Sequence, residues 1–175
     1  MHASVLSFIE RFAPDVRGRS ILEVGSKNIN GSVRSVLEPR EPSSYVGIDV
    51  EPGEGVDRVT SVEQMAFQTE VCGRPFDIVV SAEMLEHAQD WHAAFRAMAE
   101  LLVPGGWLLL TTRSEGFPYH NPPDYWRFDA ATLEQAARAC GLLVVNLDPD
   151  PQVPGIFLKA MKLKMPAALA MPQPT

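Results

Sequence analysis

The sequence predicts an α/β domain built on a doubly wound parallel sheet, and three observations predict it. The first is Ile21 to Gly31, ILEVGSKNING, where a short apolar run reads as a buried parallel strand, carries Glu23 and closes on Gly25, with helix-like sequence resuming near Ser32. Glycine lets a ligand approach the backbone, and the free N–H groups of a helix start favour an anion. The second is YVGID, Tyr45 to Asp49, a strand whose closing acid falls roughly twenty residues on, where a doubly wound fold keeps a ribose-binding carboxylate. The third is a pair of later apolar runs inside FDIVVSAEMLEH (Phe76 to His87) and LLVPGGWLLLT (Leu101 to Thr111).

The amino-terminal segment Ala3 to Phe12 reads as an amphipathic helix, because Val5, Phe8, Ile9 and Phe12 recur at helical spacing, and Pro14 and Gly18 end it. Packing on the sheet accounts for its apolar stripe. Strand one is Ser20 to Val24, followed by a polar loop from Gly25 to Gly31, a short helix from Ser32 to Leu37 and a loop from Pro39 to Ser44. Strand two ends at Asp49, Gly53 and Gly55 bracket a turn, and a brief third strand falls near Val56 to Thr60. Met65 to Pro75 reads as connecting structure, and Phe76 to Ser81 as strand four. Asp90 is placed to cap a helix from Trp91 to Leu102 with Trp91, Ala94, Phe95, Met98 and Leu102 inward, stopped by Pro104-Gly105-Gly106; Trp107 to Thr112 is strand five.

From Arg113 to Phe128, RSEGFPYHNPPDYWRF, prolines, rings and arginines crowd a loop too long for a simple connection. It follows a strand whose carboxyl end lies on the ligand side of such a sheet. We read it as an acceptor-binding loop and partial cover, with a self-packed surface loop as the alternative. Asp129 caps a further helix with Leu133, Ala136, Ala137 and Cys140 inward; Leu142 to Leu147 and Gly155 to Leu163 are strands six and seven.

With 175 residues the chain can bury one sizeable core. A net charge of -7 makes duplex nucleic acid an unfavourable partner. The spacing of Cys72 and Cys140 suggests neither a metal site nor a disulfide framework, and Cys140 is expected as a buried free thiol. The start, MHASVLSFIERF, lacks the basic opening and long apolar segment of a signal peptide, and no apolar run approaches the ~20 residues of a membrane span. A cytoplasmic protein is the expectation; the sequence sets no oligomeric state.

In their order and spacing these motifs make the stretch from Ser20 to about Met161 resemble the class I S-adenosylmethionine-dependent methyltransferases of the small type 11 kind. The resemblance implies a Rossmann-like, mostly parallel seven-stranded sheet with helices on both faces, one of the last two strands being antiparallel. It implies a single domain over residues 1–164 with a loose tail from 165 to 175. It implies S-adenosyl-L-methionine as cofactor and in-line methyl transfer to a small-molecule acceptor, a metabolite or a sugar or lipid intermediate.

The same resemblance suggests roles for residues. Glu23 would lie under the methionine end of the cofactor, and Gly25, Ser26, Lys27 and Gly31 would form the loop that meets its carboxylate. Asp49 and Val50 would hold the ribose, Ser61 and Val62 the adenine, and Ser81, Ala82 and Glu83 the methionine side. His87 and His120 are the candidate bases; Tyr119, His120, Tyr125 and Arg127 are the candidate acceptor contacts. Three positions depart from the family pattern: Lys27 and Ile29 stand where glycines are usual, and Ser61 where an acid is usual. The missing glycines weigh most against a dinucleotide oxidoreductase, whose pyrophosphate must touch backbone. They keep a non-catalytic cofactor-binding or interaction module as the competing reading.

Overall fold

The computed structural model describes residues 2–67, 75–119 and 123–164; Cys72, His120 and the tail from 165 lie outside them. Helix α1 (Ala3–Phe12) leads into β1 (Ser20–Val24), α2 (Arg34–Leu37) with a 3₁₀ turn at Glu38–Arg40, β2 (Ser44–Asp49), β3 (Arg58–Val59) and α3 (Val62–Phe67). Then come β4 (Phe76–Ala82), a 3₁₀ turn at Leu85–His87, α4 (Trp91–Glu100), β5 (Leu102–Arg113), α5 (Ala130–Ala139), β6 (Leu142–Pro149) and β7 (Gly155–Lys162).

The strands form one sheet in the order β3-β2-β1-β4-β5-β7-β6. Pairing is parallel from β3 through to β5, and β7 runs antiparallel to both β5 and β6, so it is the one reversed strand. From β1 the chain winds outward first to β2 and β3, then back past β1 to β4. The crevice between the carboxyl ends of β1 and β4 is therefore the switch point, where open sheets of this kind bind ligands.

Each face of the sheet carries a separate apolar core, because alternate strand residues point to opposite sides. Ile21, Ile78, Val80, Leu109 and Phe157 meet Val5, Phe8 and Ile9 of α1 and Leu37 of α2. The stacking of Phe8 on Phe157, at 4.8 Å between centroids, fixes α1 as part of the core. On the other face Leu22, Val24, Val79, Leu108, Leu110 and Leu158 meet Met65 of α3, Phe95 and Met98 of α4, and Leu133 and Ala137 of α5. The capping carboxylates act as expected: Asp90 accepts from the Ala93 N–H at 3.0 Å and Asp129 from the Thr132 N–H at 2.7 Å.

Two expectations change. The region read as connecting structure opens with α3, whose start is capped by Ser61 Oγ accepting from the Gln64 N–H at 3.2 Å. Helix α4 stops at Glu100, and Leu102 already pairs with Phe76, so Pro104-Gly105-Gly106 lies within β5 at a register shift rather than ahead of it. The Lys162 ammonium donates to the Ala99 and Leu102 carbonyls, both at 2.8 Å, and so covers the end of α4. Cys140, expected to be buried, is a free thiol but only half-buried, since it caps the end of α5 rather than lying within it. Among the described residues no helix is long and apolar enough to cross a membrane.

Candidate active site

The carboxyl end of β1 turns at Gly25, whose N–H donates to the Ile48 carbonyl of β2 at 2.9 Å. Gly25 has φ +78°, and a Cβ there would stand 2.7 Å from Met84 Cβ and Cγ, so both conformation and packing demand glycine. Asp49 ends β2 beside this turn. Its Oδ2 accepts from the Lys27 N–H at 3.2 Å and its Oδ1 from the Glu51 N–H at 3.0 Å. Each carboxylate oxygen keeps a further lone pair for a ligand hydroxyl.

The Lys27 ammonium, expected near a ligand carboxylate, pairs instead with Glu51 at 2.6 Å, and its stem lies across Gly53. Gly31 closes the loop by donating to Asn28 Oδ1 at 3.0 Å, and Val50 is exposed. The glycines missing from this loop are compensated from outside it. Gly47 of β2 has the Gly55 carbonyl and the Ser26 side chain where a Cβ would be, and Gly55 (φ +86°) has the Ser26 carbonyl. Three stretches of backbone thus close on one another under the rim.

Glu23 is buried on the α1 face of β1. The parallel register sets Ile21 beside Tyr45 and Glu23 beside Gly47, so Tyr45 reaches diagonally and its hydroxyl donates to Glu23 Oε2 at 2.7 Å. Arg34 stacks over the Tyr45 ring at 4.5 Å and pairs with Asp57. Burial pushes Glu23 up to about 7, with Tyr45, Arg34 and the Val33 N–H pulling the other way and Asp57 adding to the rise.

A carboxyl group raised on folding holds its proton more tightly in the folded chain. Its stability penalty is absent below the unfolded value and complete above the folded one. Stability should therefore decline from about pH 4.5 to about pH 7 through this group. Glu23→Gln should flatten that decline, worth about 3 kcal/mol at one pKa unit per 1.36 kcal/mol. Urea midpoints measured across the range check it; an unchanged slope removes Glu23 as the cause.

At the carboxyl end of β4, Ser81 Oγ is buried and has no hydrogen-bond partner, and Ala82 is buried beside it. Glu83 follows with φ +56°, a left-handed conformation unusual for a side chain of this kind. Its N–H donates to the Thr111 carbonyl at 3.0 Å, the Thr111 hydroxyl donates to its Oε1 at 2.9 Å, and Arg113 pairs with its Oε2. Asp150 lies 3.8 Å from the same guanidinium and accepts from the Ser4 hydroxyl of α1 at 3.0 Å. Glu86 is sealed beneath, accepting from the Thr112 hydroxyl at 2.8 Å; burial and the neighbouring Glu83 push its carboxyl up. None of Tyr45, Arg34, Arg113 or Asp150 stands out in the sequence, since each meets its partner only through strand order.

His87 Nδ1 faces the Pro123 carbonyl at 3.3 Å. A carbonyl can only accept, so Nδ1 carries the proton and, in the neutral ring, Nε2 is left as a lone pair. The loop after β5 is stitched down: the Tyr125 N–H donates to the Glu86 carbonyl at 2.7 Å and Trp126 Nε1 to the Ala88 carbonyl at 2.8 Å. Arg127, expected to meet an acceptor, braces this loop, donating to the Phe117, Pro118 and Trp126 carbonyls and pairing with Asp124 at 2.7 Å. Its guanidinium lies 3.9 Å over Tyr119, which is 64% exposed; Tyr125 is also exposed.

Ser61 is used as the α3 cap, its carbonyl also accepting from the Met65 N–H at 3.0 Å, and the Val62 side chain is in the core. A cavity of about 630 Å³ lies at the opposite, amino end of the strands, lined by Ser20, Ser44, Phe76 and Asp77 among others, away from the switch point. Among the described residues no three His, Cys, Asp or Glu side chains are placed to hold a metal ion.

Residues 1–147 match the family model described as "Methyltransferase domain". The ubiquinone biosynthesis O-methyltransferase of Bordetella avium is 34% identical over 121 residues, which is 61% of this chain and 48% of that protein. The protein of the same name from Nitrosospira multiformis is 31% identical over 134 residues, 69% of this chain and 51% of its own length. The chain thus spans about half the length of the curated relatives it matches. A crystal structure of a putative S-adenosylmethionine-dependent methyltransferase from Listeria monocytogenes superposes with TM-score 0.69 at 11% identity, covering 93% of this chain and 99% of that one.

Proposed function

This chain belongs to the methyltransferase-domain family, and on that premise we propose that it moves a methyl group from S-adenosyl-L-methionine to a hydroxyl of a small-molecule acceptor. One observation carries the reading: Gly25, Asp49 and Ser81 stand at the carboxyl ends of three neighbouring strands, β1, β2 and β4, on the rim of the switch point. The residues present fit the donor. Asp49 has lone pairs for ribose hydroxyls, the unpartnered Ser81 Oγ marks a polar seat at β4, and Glu23 supplies a carboxyl group below the turn whose ionisation a cationic donor would favour. Ser26, Gly31, Val50, Ser61, Val62 and Ala82 complete the suggested wall.

The bound donor supplies a methyl group on a sulfonium, an excellent leaving group. The protein's work is then chiefly orientation, worth ~7–11 kcal/mol, to which a base adds ~10²–10⁴-fold. The donor rim lies beside the loop from Arg113 to Phe128, whose exposed Tyr119 and Tyr125 offer faces to an acceptor. His87, held through Nδ1 against the Pro123 carbonyl, is the candidate base. The oxygen acceptor is supported by the relatives' name and by the placement of that base. The net charge of -7 supports a small acceptor over duplex nucleic acid, and the free Cys140 thiol suits a reducing, cytoplasmic setting.

A panel of small hydroxyl compounds, with tRNA as comparator, tests this by release of S-adenosylhomocysteine. Turnover on a small hydroxyl compound is expected, and turnover on tRNA alone would overturn the acceptor class. His87→Gln should lower kcat by about 10²-fold or more while leaving donor affinity unchanged. Undiminished kcat would remove His87 as the base.

A further inference from the structure

We propose that Arg113 is a positioning residue of the donor site: from beneath α1 its guanidinium fixes Glu83, at the carboxyl end of β4, as an ionised carboxylate presented to the cationic end of the donor. The proposal rests on the donor reading of the rim given above.

Four observations support it. Glu83 is held in a left-handed conformation that survives only where surrounding bonds over-determine it, and three do: its N–H to the Thr111 carbonyl, the Thr111 hydroxyl to Oε1, and Arg113 to Oε2. The Thr111 hydroxyl occupies one lone-pair site on Oε1 and leaves another there for the donor, while Oε2, the oxygen that Arg113 holds, is buried. Glu83 is the carboxylate of this cluster that solvent reaches, its side chain 14% exposed against 0% for Asp150, while Glu86 is sealed. Arg113 itself is buried, stacks 4.1 Å over Phe117, and has an Nη1 without a hydrogen bond; its charge is spent on carboxylates rather than on water.

The groups that set the charge of Glu83 come from every neighbouring element. Arg113 and Thr111 on β5 favour the ionised form, whereas Asp150 after β6 opposes it, as does burial, the largest influence; the net effect raises its carboxyl. Glu86, one turn on, is itself raised by burial and by the charge of Glu83, and His2, ahead of α1, is lowered by burial and by the Arg113 guanidinium. Removing Arg113 takes away the main opposition to burial, so Glu83 would then hold its proton more tightly.

Glutamate side chains carrying ¹³C at the carboxyl carbon, with Glu83 assigned through Glu83→Gln, report this directly in the full chain. Arg113→Gln should move the Glu83 titration upward by about one pH unit or more, and Arg113→Lys, which keeps the charge, should largely restore it. Asp150→Asn, which removes the carboxylate that opposes ionisation, should move it downward; Arg113→Met, whose uncharged stem can still pack on Phe117, serves if Arg113→Gln does not fold. In calorimetric titration with S-adenosylmethionine, Arg113→Gln should bind about tenfold more weakly than wild type at a pH below its own measured Glu83 titration and recover at a pH above it. The Glu23 contribution is common to both proteins and cancels in that ratio.

An unmoved Glu83 titration in a folded Arg113→Gln or Arg113→Met, a shift that Arg113→Lys does not reverse, or an affinity loss equal at both pH values overturns the proposal. Wild-type chain that binds no donor, yet shows the expected carboxyl shifts, retains the clamp and overturns the donor reading instead.

Discussion

Gly47→Val should lower the unfolding midpoint by roughly 6–12 °C and abolish donor binding. No left-handed backbone is involved at Gly47; the cost is steric. The space a side chain would take is filled by the Gly55 carbonyl oxygen and by Ser26 Oγ and Cβ, which would lie at 2.7 and 2.8 Å from a Cβ. Two of these neighbours cannot simply swing aside: one is backbone, and the other hangs from a loop whose N–H groups are tied to Ile48 and Asp49. Overpacking of this kind costs ~3 kcal/mol, and in a chain of this size each kcal/mol is worth ~2–4 °C. The loop would be pushed off Asp49, and the donor site would go with it. Gly53→Ala is the control. Its Cβ would meet only the Lys27 stem, 2.9 Å away at Cγ, and a flexible stem can move. Thermal unfolding of both variants decides the point: equal midpoints would mean that the three backbone stretches are not closed on one another.

Asp49→Ala should weaken S-adenosylmethionine binding by about tenfold or more, the loss of charge-assisted bonds worth ~1.5–3 kcal/mol. Two effects combine. The ribose hydroxyls lose their acceptor, and the Lys27 and Glu51 N–H groups lose the carboxylate that shapes the loop. Asp49→Asn separates them, since it keeps one acceptor oxygen and the shape but not the charge. Calorimetry on the three proteins reads the difference, and unchanged affinity in Asp49→Ala would take Asp49 out of the site.

What could be read from the sequence was what is local. The buried runs of β1, β2 and β4, the stripe of α1, and the caps Asp90 and Asp129 depend on neighbours a few residues away, and the structure carries them where expected. Gly25 and Asp49 are legible for the same reason, each closing its own strand. Helix α3 was missed because its apolar face is short, carried by Val62, Met65 and Ala66. Pro104-Gly105-Gly106 misled because these residues stop helices, yet here they take a bulged strand edge beside Asp77. The Glu83–Arg113–Asp150 cluster was not legible at all. Its members sit on separate elements and meet only because β5 lies between β4 and β7 in the sheet and the β6–β7 turn folds back under α1. Lys27 and Arg127, suggested from the sequence as ligand contacts, have partners that the sequence did not show: Glu51 at the surface for Lys27 and the buried Asp124 for Arg127.

The most direct measurement is a crystal structure of the chain grown with saturating S-adenosylhomocysteine. The ligand should lie across the carboxyl ends of β1, β2 and β4, its ribose hydroxyls on Asp49 and its amino acid end between Gly25 and Ser81. A ligand seated in the cavity at the amino ends of the strands, or a rim left bare with Met84 still packed on Gly25, would contradict the account.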